Sequence, residues 1–526
     1  MARSETELAP PSWMPPGMNP RRVQFVLVGV LLTMTLALLD QNIVSTAAWA
    51  ISRDLDPVHG LDRLPWLVTA YLLASTATQP LYGRMCDVYG PKRVFLFAIG
   101  VFLAGSALCG LAQNLDQLIV LRFVQGLGGG GLMSVAIVIA GTLAPPKERA
   151  QKAGLGGIMI ALGTVLGPLV GGYITQNWSW RWIFYVNIPL GVAAFVIVAL
   201  ALRLPERHVP HSIDVVGAGL IAAATAAILL VTEEGGDEYA WTSWQIIGLA
   251  VVGLGLLAAF GRRQVRTPEP LFPLSLLRNP VFRIASPMIF VSGVAMVGSI
   301  VYVVLYLQLV QAVSPVRAGL HLIPMAVGLV ITSFASGQMI MKTGRYRRYL
   351  VASFASAAAG TGLLALLGPG SSVLTLNGGL FLLGAGLGPT MSLTLLAVQN
   401  GVPIGQIGTA SSATTFCRTM GSAVGTAVLG VILTDRFHHE LAGTGVTGKP
   451  TAAMLATLPA DVRDSVLTAF VDGTHLVFLV ATGLLIGAFA LAAVIPEVPI
   501  EFWDEDDAPS TPAPADLKAD IGRSQI

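Results

Sequence analysis

Charge is what this chain has least of. Asp, Glu, Lys and Arg make up 11% of its residues, where soluble domains carry about 25%. A water-soluble surface for 526 residues cannot be assembled from so few charges. Cysteine is almost absent. Cys86, Cys109 and Cys417 fall in or beside apolar segments, and imply neither a disulfide framework nor a zinc site. No Gly-x-Ser-x-Gly, His-Glu-x-x-His or clustered Cys/His occurs, so hydrolytic and metal-dependent enzyme classes find no support.

What the chain has in excess is long apolar runs. Hydrophobic residues reach 54%. Val23–Leu39, Val94–Leu111, Leu118–Leu143, Val215–Val231 and Leu374–Val398 approach or exceed the roughly 20 apolar residues that span a bilayer. The chain therefore reads as an all-α, polytopic membrane protein. Fourteen helices are predicted, starting near Val23, Leu64, Val94, Leu118, Ala153, Arg181, Ile213, Trp244, Val281, Ala318, Tyr349, Leu374, Gln406 and Phe470. An even number puts both termini on one side. The connections on that side hold Arg84, Lys92 and Arg93, then Lys147, Arg149 and Lys152, then Arg262, Arg263 and Arg266, then Lys342, Arg345, Arg347 and Arg348. The positive-inside rule places that side, and both termini, in the cytoplasm of a cell whose plasma (inner) membrane the chain crosses.

The predicted organisation has five parts. Residues 1–22 are polar and Pro-rich, lack a cleavage site, and read as a cytoplasmic tail. Residues 23–204 form a six-helix bundle, and residues 205–280 form two spacer helices and a cytoplasmic linker. Residues 281–500 form a second six-helix bundle with an external loop over 436–469. Residues 501–526 form an acidic, then Pro/Ala-rich, cytoplasmic tail expected to be disordered. The spacer helices have no charge in their cores and no polar face, so they are expected to face lipid. The two bundles echo one another: the stretch from Gly83 to Arg93 follows the second helix, and the stretch from Gly337 to Arg345 follows the tenth. Repeated halves are a transporter feature.

Three charges lie inside spans. Asp40 sits about 17 residues, roughly 25 Å, into the first. An unpaired carboxylate there is costly, so it should face the bundle interior or water. Two readings stand: a protonatable coupling site, or a cap or fixed ion-pair partner near the outer interface. Arg122 in the fourth helix requires a carboxylate or several carbonyls if buried, with Asp40 and Gln125 as natural candidates; otherwise it snorkels to the interface. Arg418 in the thirteenth helix has no obvious partner, because the ninth to thirteenth helices contain no acidic residue. Tyr302, Tyr306, Gln308 and Gln311 give the ninth helix one polar, aromatic side that suits a pocket and an interfacial belt equally.

Two motifs mislead. Gly126-Leu-Gly128-Gly-Gly-Gly131 matches a dinucleotide fingerprint, but it lies in an apolar span with no strand before it, so close helix packing is the better reading. Gly443-Thr-Gly-Val-Thr-Gly448-Lys449 imitates a phosphate loop, but Pro450 stands where Ser or Thr is required. In the fifth helix, Gly163, Gly167, Gly171 and Gly172 offer a flat face for close approach, and Pro168 permits a kink.

Together these residues name a family. The loop with Gly83, Asp87, Gly90, Lys92 and Arg93 resembles the signature loop of the major facilitator superfamily. Arg122–Gly131 resembles its helix-four motif, and Gly163–Gly172 its antiporter motif. Leu39-Asp40-Gln-Asn42-Ile-Val44, Trp180–Gly191 and Leu305–Gln308 resemble the fourteen-helix drug:proton antiporter branch. Val88 and Pro91 depart from the loop pattern, where basic residues are usual. The resemblance implies two six-helix bundles plus two extra helices rocking around a central cavity, with the Gly83–Arg93 loop as a conformational latch. It also implies multidrug efflux, hence antibiotic resistance, driven by the proton motive force.

The function expected on these grounds is proton-coupled antiport of small amphipathic or hydrophobic compounds out of the cytoplasm. Asp40 and Arg122 would couple the proton, and Asn42, Gln125, Tyr302, Tyr306, Gln308 and Arg418 are candidates for the substrate cavity. Export of one natural product, lipid or metabolite is the alternative within transport; a non-transporting membrane sensor or scaffold is the alternative outside it. The expected partners are small molecules, protons and the lipid bilayer, with no nucleic acid, a monomeric state, and no metal or cofactor beyond the proton gradient.

Overall fold

The computed structural model describes residues 18–56, 63, 65–143, 163, 167, 170–204, 214–236, 238–268, 270–272, 274–313, 315–368, 370–403, 406–440 and 459–497. The N-terminal half comprises α1 (Pro20–Leu55), α2 (Pro65–Tyr89), α3 (Pro91–Cys109), α4 (Leu115–Leu143), α5 (170–177) and α6 (Asn187–Ala201). Between the halves lie α7 (Val215–Glu234) and α8 (Trp244–Arg266). The C-terminal half comprises α9 (Pro280–Leu309), α10 (Ile323–Thr343), α11 (Arg347–Leu364), α12 (Val373–Asn400), α13 (Ile407–Glu440) and α14 (Ala460–Val494). Among the described residues, eleven helices are long and apolar enough to cross a membrane. The expectation of fourteen goes beyond what length and hydropathy supply. Neither α2 nor α11 is among the eleven, and residues 144–162 before α5 lie outside the described set. The non-helical stretch expected over 436–469 is shorter, because α13 runs on to Glu440 and α14 begins at Ala460.

Side-chain caps mark several starts. Asn19 Oδ1 accepts from Arg22 N at 2.8 Å ahead of Pro20, and Asn279 Oδ1 accepts from Val281 N at 2.9 Å ahead of Pro280. A proline in the first turn loses no hydrogen bond, since that N–H has no helical partner. Each half opens with this pairing of Asn and Pro.

Helices in lipid gain little from burying apolar surface against each other, so close approach must come from small residues. Glycines supply it here, and they show that the halves are one design used twice. On α4, Gly126 faces Tyr71 and Ala74 of α2, Gly128 faces Ala98 and Phe102 of α3, and Gly130 faces Ser75 of α2. On α12, Gly384 faces Met325 of α10, Gly386 faces Ser353 and Ala357 of α11, and Gly388 faces Leu329 of α10. A Cβ on Gly128 would lie 2.6 Å from the Ala98 carbonyl oxygen, and one on Gly386 2.6 Å from the Ala357 Cβ, so each seam closes only without a side chain. Gly90 and Gly344 follow the second helix of each half with φ of 83° and 65°, a region that other residues enter only with strain.

The extra pair is anchored by charge. Asp214 Oδ1 accepts from Gly217 N at 2.8 Å, capping α7, and from Arg263 Nε of α8 at 2.8 Å. Val251, Val252 and Leu254 of α8 are exposed. By contrast α7 packs on both α2 and α13. Its Ile221 joins Phe260 and Leu271 in an apolar cluster that also takes in Leu81 of α2 and Phe416 of α13. The lipid-facing expectation is therefore corrected for α7, which straddles the seam between the two halves.

Candidate functional site

Five elements converge on Asp40. Its carboxylate is fully buried in α1 and accepts three side-chain hydrogen bonds. Arg122 Nη1 on α4 donates to Oδ2 at 2.7 Å, Gln125 Nε2 on α4 donates to Oδ1 at 2.9 Å, and Asn187 Nδ2 at the start of α6 donates to Oδ1 at 2.7 Å. Arg122 and Gln125 lie three residues apart on α4, which puts both on one face. Arg122 Nη1 also donates to Gln125 Oε1 at 2.9 Å, and its Nε donates to the Leu67 carbonyl of α2 at 3.2 Å. The guanidinium carbon lies 4.3 Å from the Tyr71 ring centroid, a cation–π distance. On α3, Ser106 Oγ accepts from Asn187 Nδ2 at 3.0 Å and donates to the Phe184 carbonyl at 2.9 Å.

A carboxylate has about four lone-pair directions. Oδ1 receives two donors and Oδ2 one, leaving a single open direction on Oδ2. Among the described residues, two buried polar atoms of this network have no partner: Arg122 Nη2 and Asn187 Oδ1. Oδ2 therefore keeps room for one further hydrogen-bond donor.

Gly163, Gly167 and Gly171 lie close against this part of α1. A Cβ on Gly163 would lie 2.5 Å from the Leu38 Cβ, one on Gly167 2.7 Å from the Asn42 Cβ, and one on Gly171 2.9 Å from the Ile43 carbonyl oxygen. Gly172 faces open space, and Pro168 lies outside the described residues. The C-terminal half repeats the contact, with Gly421 against Phe290 and Gly425 against Val294. In that register Ser292 stands where α1 has Asp40. The glycine register of α4 and α12 likewise sets Leu380 opposite Arg122 and Leu383 opposite Gln125. One half carries the charged network; the other has plain packing in its place.

A second constellation joins the halves. Asp87, at the end of α2, accepts from Gly408 N at 3.1 Å, Thr409 N at 2.9 Å and Thr409 Oγ1 at 2.5 Å. These N–H groups belong to the first turn of α13, where helix donors lack internal partners and the dipole favours an anion. Gly83, one turn earlier, admits Ser412 and the Gly408 carbonyl, so α2 and α13 touch along this end. Lys92 Nζ donates to the Leu202 carbonyl at 2.8 Å, tying α3 to the end of α6. Arg93 is exposed on the first turn of α3.

The substrate-cavity candidates are distributed over both halves. Gln125 belongs to the Asp40 network. Asn42 Nδ2 donates to the Leu38 carbonyl of its own helix at 2.7 Å. Tyr302 donates to the Thr426 carbonyl at 3.5 Å and Tyr306 to the Gly368 carbonyl at 2.7 Å, both within the C-terminal half. Gln308 and Arg418 are half-buried. Sequence reasoning passed over Asn187, Ser106 and Tyr71 as site residues. Asn187 left one signal, a polar residue two positions before Pro189 at the opening of an apolar helix; Ser106 and Tyr71 left none.

The sequence profile of the Major Facilitator Superfamily matches residues 30–426. The chain is 32% identical over 462 residues to multidrug resistance protein 3 of Bacillus subtilis, covering 85% of this chain and 90% of the relative. It is 33% identical over 416 residues to the multidrug transporter protein MdtP of the same organism, covering 79% and 76%. The human organic anion transporter MFSD10 shares its fold, with a TM-score of 0.57 at 16% identity, covering 90% of this chain and 100% of that one. A likeness at that identity speaks for the fold alone. With eleven apolar spans of sufficient length among its described residues and this profile across most of its length, the chain is a multi-pass membrane transporter and belongs to the Major Facilitator Superfamily.

Proposed function

We propose that this protein is a proton-coupled antiporter that exports small amphipathic or hydrophobic compounds from the cytoplasm across the plasma (inner) membrane by alternating access. The observation that carries the reading is the Asp40 network: a buried carboxylate with an open proton position, held by an always-charged arginine and two amides. A purely structural ion pair needs no such spare position. Protonation of Asp40 cancels its attraction to Arg122 and frees that guanidinium to seek other partners. The two states of the pair are the bistable element that proton binding biases. The Asp87 contact to the start of α13 acts as the cytoplasmic latch, closed in this arrangement and released when the halves rock. Relatives named as multidrug transporters at about one-third identity favour a broad range of cargo.

The test is reconstitution in proteoliposomes with a pH-reporting dye trapped inside. A panel of positive, neutral and negative amphipathic dyes supplies the cargo. Wild-type protein should move dye and protons in opposite directions, and Asp40→Asn should abolish the coupled proton flux while inserting normally. Dye export by the Asn variant at the wild-type rate and with unchanged pH dependence would refute the assignment. A sensor or scaffold would show no flux of either kind.

A further inference from the structure

The proton-coupling reading uses Asp40 and Arg122 and leaves one embedded charge unexplained. Residues 281–434 contain 154 positions without a single Asp or Glu, yet Arg418 sits among them, eleven residues from the start of α13. At 1.5 Å per residue that is roughly 17 Å along the helix. Among the described residues its guanidinium has no hydrogen-bond or ion-pair partner. On α2 and α4, the helices of the other half that pack on α13, the two acidic groups are both engaged: Asp87 by the first turn of α13, and Asp116 by Arg63. An embedded cation without a counter-ion is costly, and such residues mark the path of a charged species.

The surroundings suit a ligand. Arg418 is half-buried, where Arg122 is fully buried. The next residue, Thr419, meets Gln79 of α2 with Oγ1 3.5 Å from Nε2, so the other half reaches this level. One turn further, Ser422 lies against Gly293 of α9, its Oγ 3.3 Å from that carbonyl. Around Arg418 the hydroxyls satisfy themselves on their own helix: Thr415 donates to the Ser411 carbonyl at 3.0 Å and Thr419 to the Thr415 carbonyl at 3.0 Å. Bonds of that kind are weak, and a rotation about χ1 turns each hydroxyl outward as a donor. Gln79 lies twelve residues along α2 from the Leu67 carbonyl that Arg122 meets, roughly 18 Å away, so this position is separate from the proton site.

We propose that Arg418 is the charge-reading residue of a binding site for amphipathic organic anions, carboxylates above all, with Gln79 and Thr419 as accompanying donors. A guanidinium forms a fork that fits a carboxylate with two parallel hydrogen bonds. Bound there, the anion supplies the counter-charge that residues 281–434 lack. Because Gln79 and Arg418 belong to different halves, the ligand touches both sides of the seam that Asp87 latches. The same charge disfavours cations. The proposal rests on the efflux reading for what happens to the bound anion; binding itself does not depend on proton coupling.

The test uses one hydrophobe in three charge states: 2-naphthylacetate, its methyl ester, and (2-naphthylmethyl)trimethylammonium. Binding to the purified full-length protein is read by ligand-induced thermal shift and by equilibrium dialysis. Wild-type protein should prefer the acid over the ester by at least about tenfold and bind the ammonium most weakly. Arg418→Gln should collapse the acid-to-ester ratio toward one, and Arg418→Lys should keep part of it, because the charge survives without the fork. A wild-type protein with no preference for the acid overturns the proposal. So does an acid-to-ester ratio in Arg418→Gln equal to the wild-type value. If Gln does not fold, the Lys variant and Gln79→Leu decide, the latter by a smaller fall in the same ratio. Preference for the acid without proton-coupled export would sink the antiport reading and leave this site standing; export of neutral dyes without that preference would do the reverse.

Discussion

Replacing Arg122 with Ala removes three hydrogen bonds at once: the 2.7 Å bond to Asp40, the 2.9 Å bond to Gln125 and the 3.2 Å bond to the Leu67 carbonyl. It also removes the cation over Tyr71. Asp40 then keeps only two neutral amide donors, fully buried. Breaking a buried ion pair from one side costs about 3–5 kcal/mol, chiefly because the remaining charge has no counterpart. Adding Asp40→Asn to Arg122→Ala removes that orphan charge, so the double variant should recover a large part of the loss, with a coupling of about 1–3 kcal/mol. The assay is reversible unfolding of the purified protein, run on the wild type, both single variants and the double variant. In parallel, proteoliposomes report proton release on addition of substrate. The Ala variant should insert, unfold more easily and release no protons. Lys should restore some stability but less than Arg, since a point charge cannot reproduce the fork to Asp40, Gln125 and Leu67. Strict additivity of the two single variants, or substrate-driven proton release by Arg122→Ala at the wild-type level, would refute the argument that this pair is the coupling element.

Four further outcomes rest on the packing. Asp87→Ala removes three accepted bonds at the start of α13, about 1–3 kcal/mol in total, and should open that end; cysteine labelling of positions along α2 and α13 should rise several-fold, and unchanged labelling would remove the latch role. Gly386→Leu forces a side chain into the Ala357 contact and should abolish stable expression, whereas Gly248→Leu, which faces open space on α8, should be tolerated. Asp214→Ala strips the cap of α7 and the Arg263 partner, so it should lower unfolding stability by about 2–4 kcal/mol. Because α7 lies on both α2 and α13, deletion of residues 213–260 should impair transport more than lipid-facing spacers would allow, measured as dye export per inserted molecule.

The class and most of the plan were legible in the residues alone. Low charge and long apolar runs leave no soluble alternative, because a bilayer admits only chains that satisfy their backbone internally. The repeated turn after the second and tenth helices announced two related halves. Asp40 and Arg122 were legible as well, since an embedded charge stands out in an apolar run and must find a partner. Which partner it finds is a matter of three dimensions. Gln125 sits three residues from Arg122 and could be inferred; Asn187 lies 147 residues from Asp40 and meets it because α6 packs on α1, and Ser106 joins through Asn187 because α3 packs on α6. The place of α7 was likewise hidden. Its sequence shows no polar stripe, and an apolar helix looks the same whether lipid or a neighbouring helix covers it. Tyr302 and Tyr306 show the same limit: hydroxyls that suit a pocket in the sequence end on backbone carbonyls inside one half. Arg418 reverses the case. The sequence showed a cation without an acid in reach, and the tertiary structure brought the other half alongside it through Gln79, with no counter-ion among the described residues.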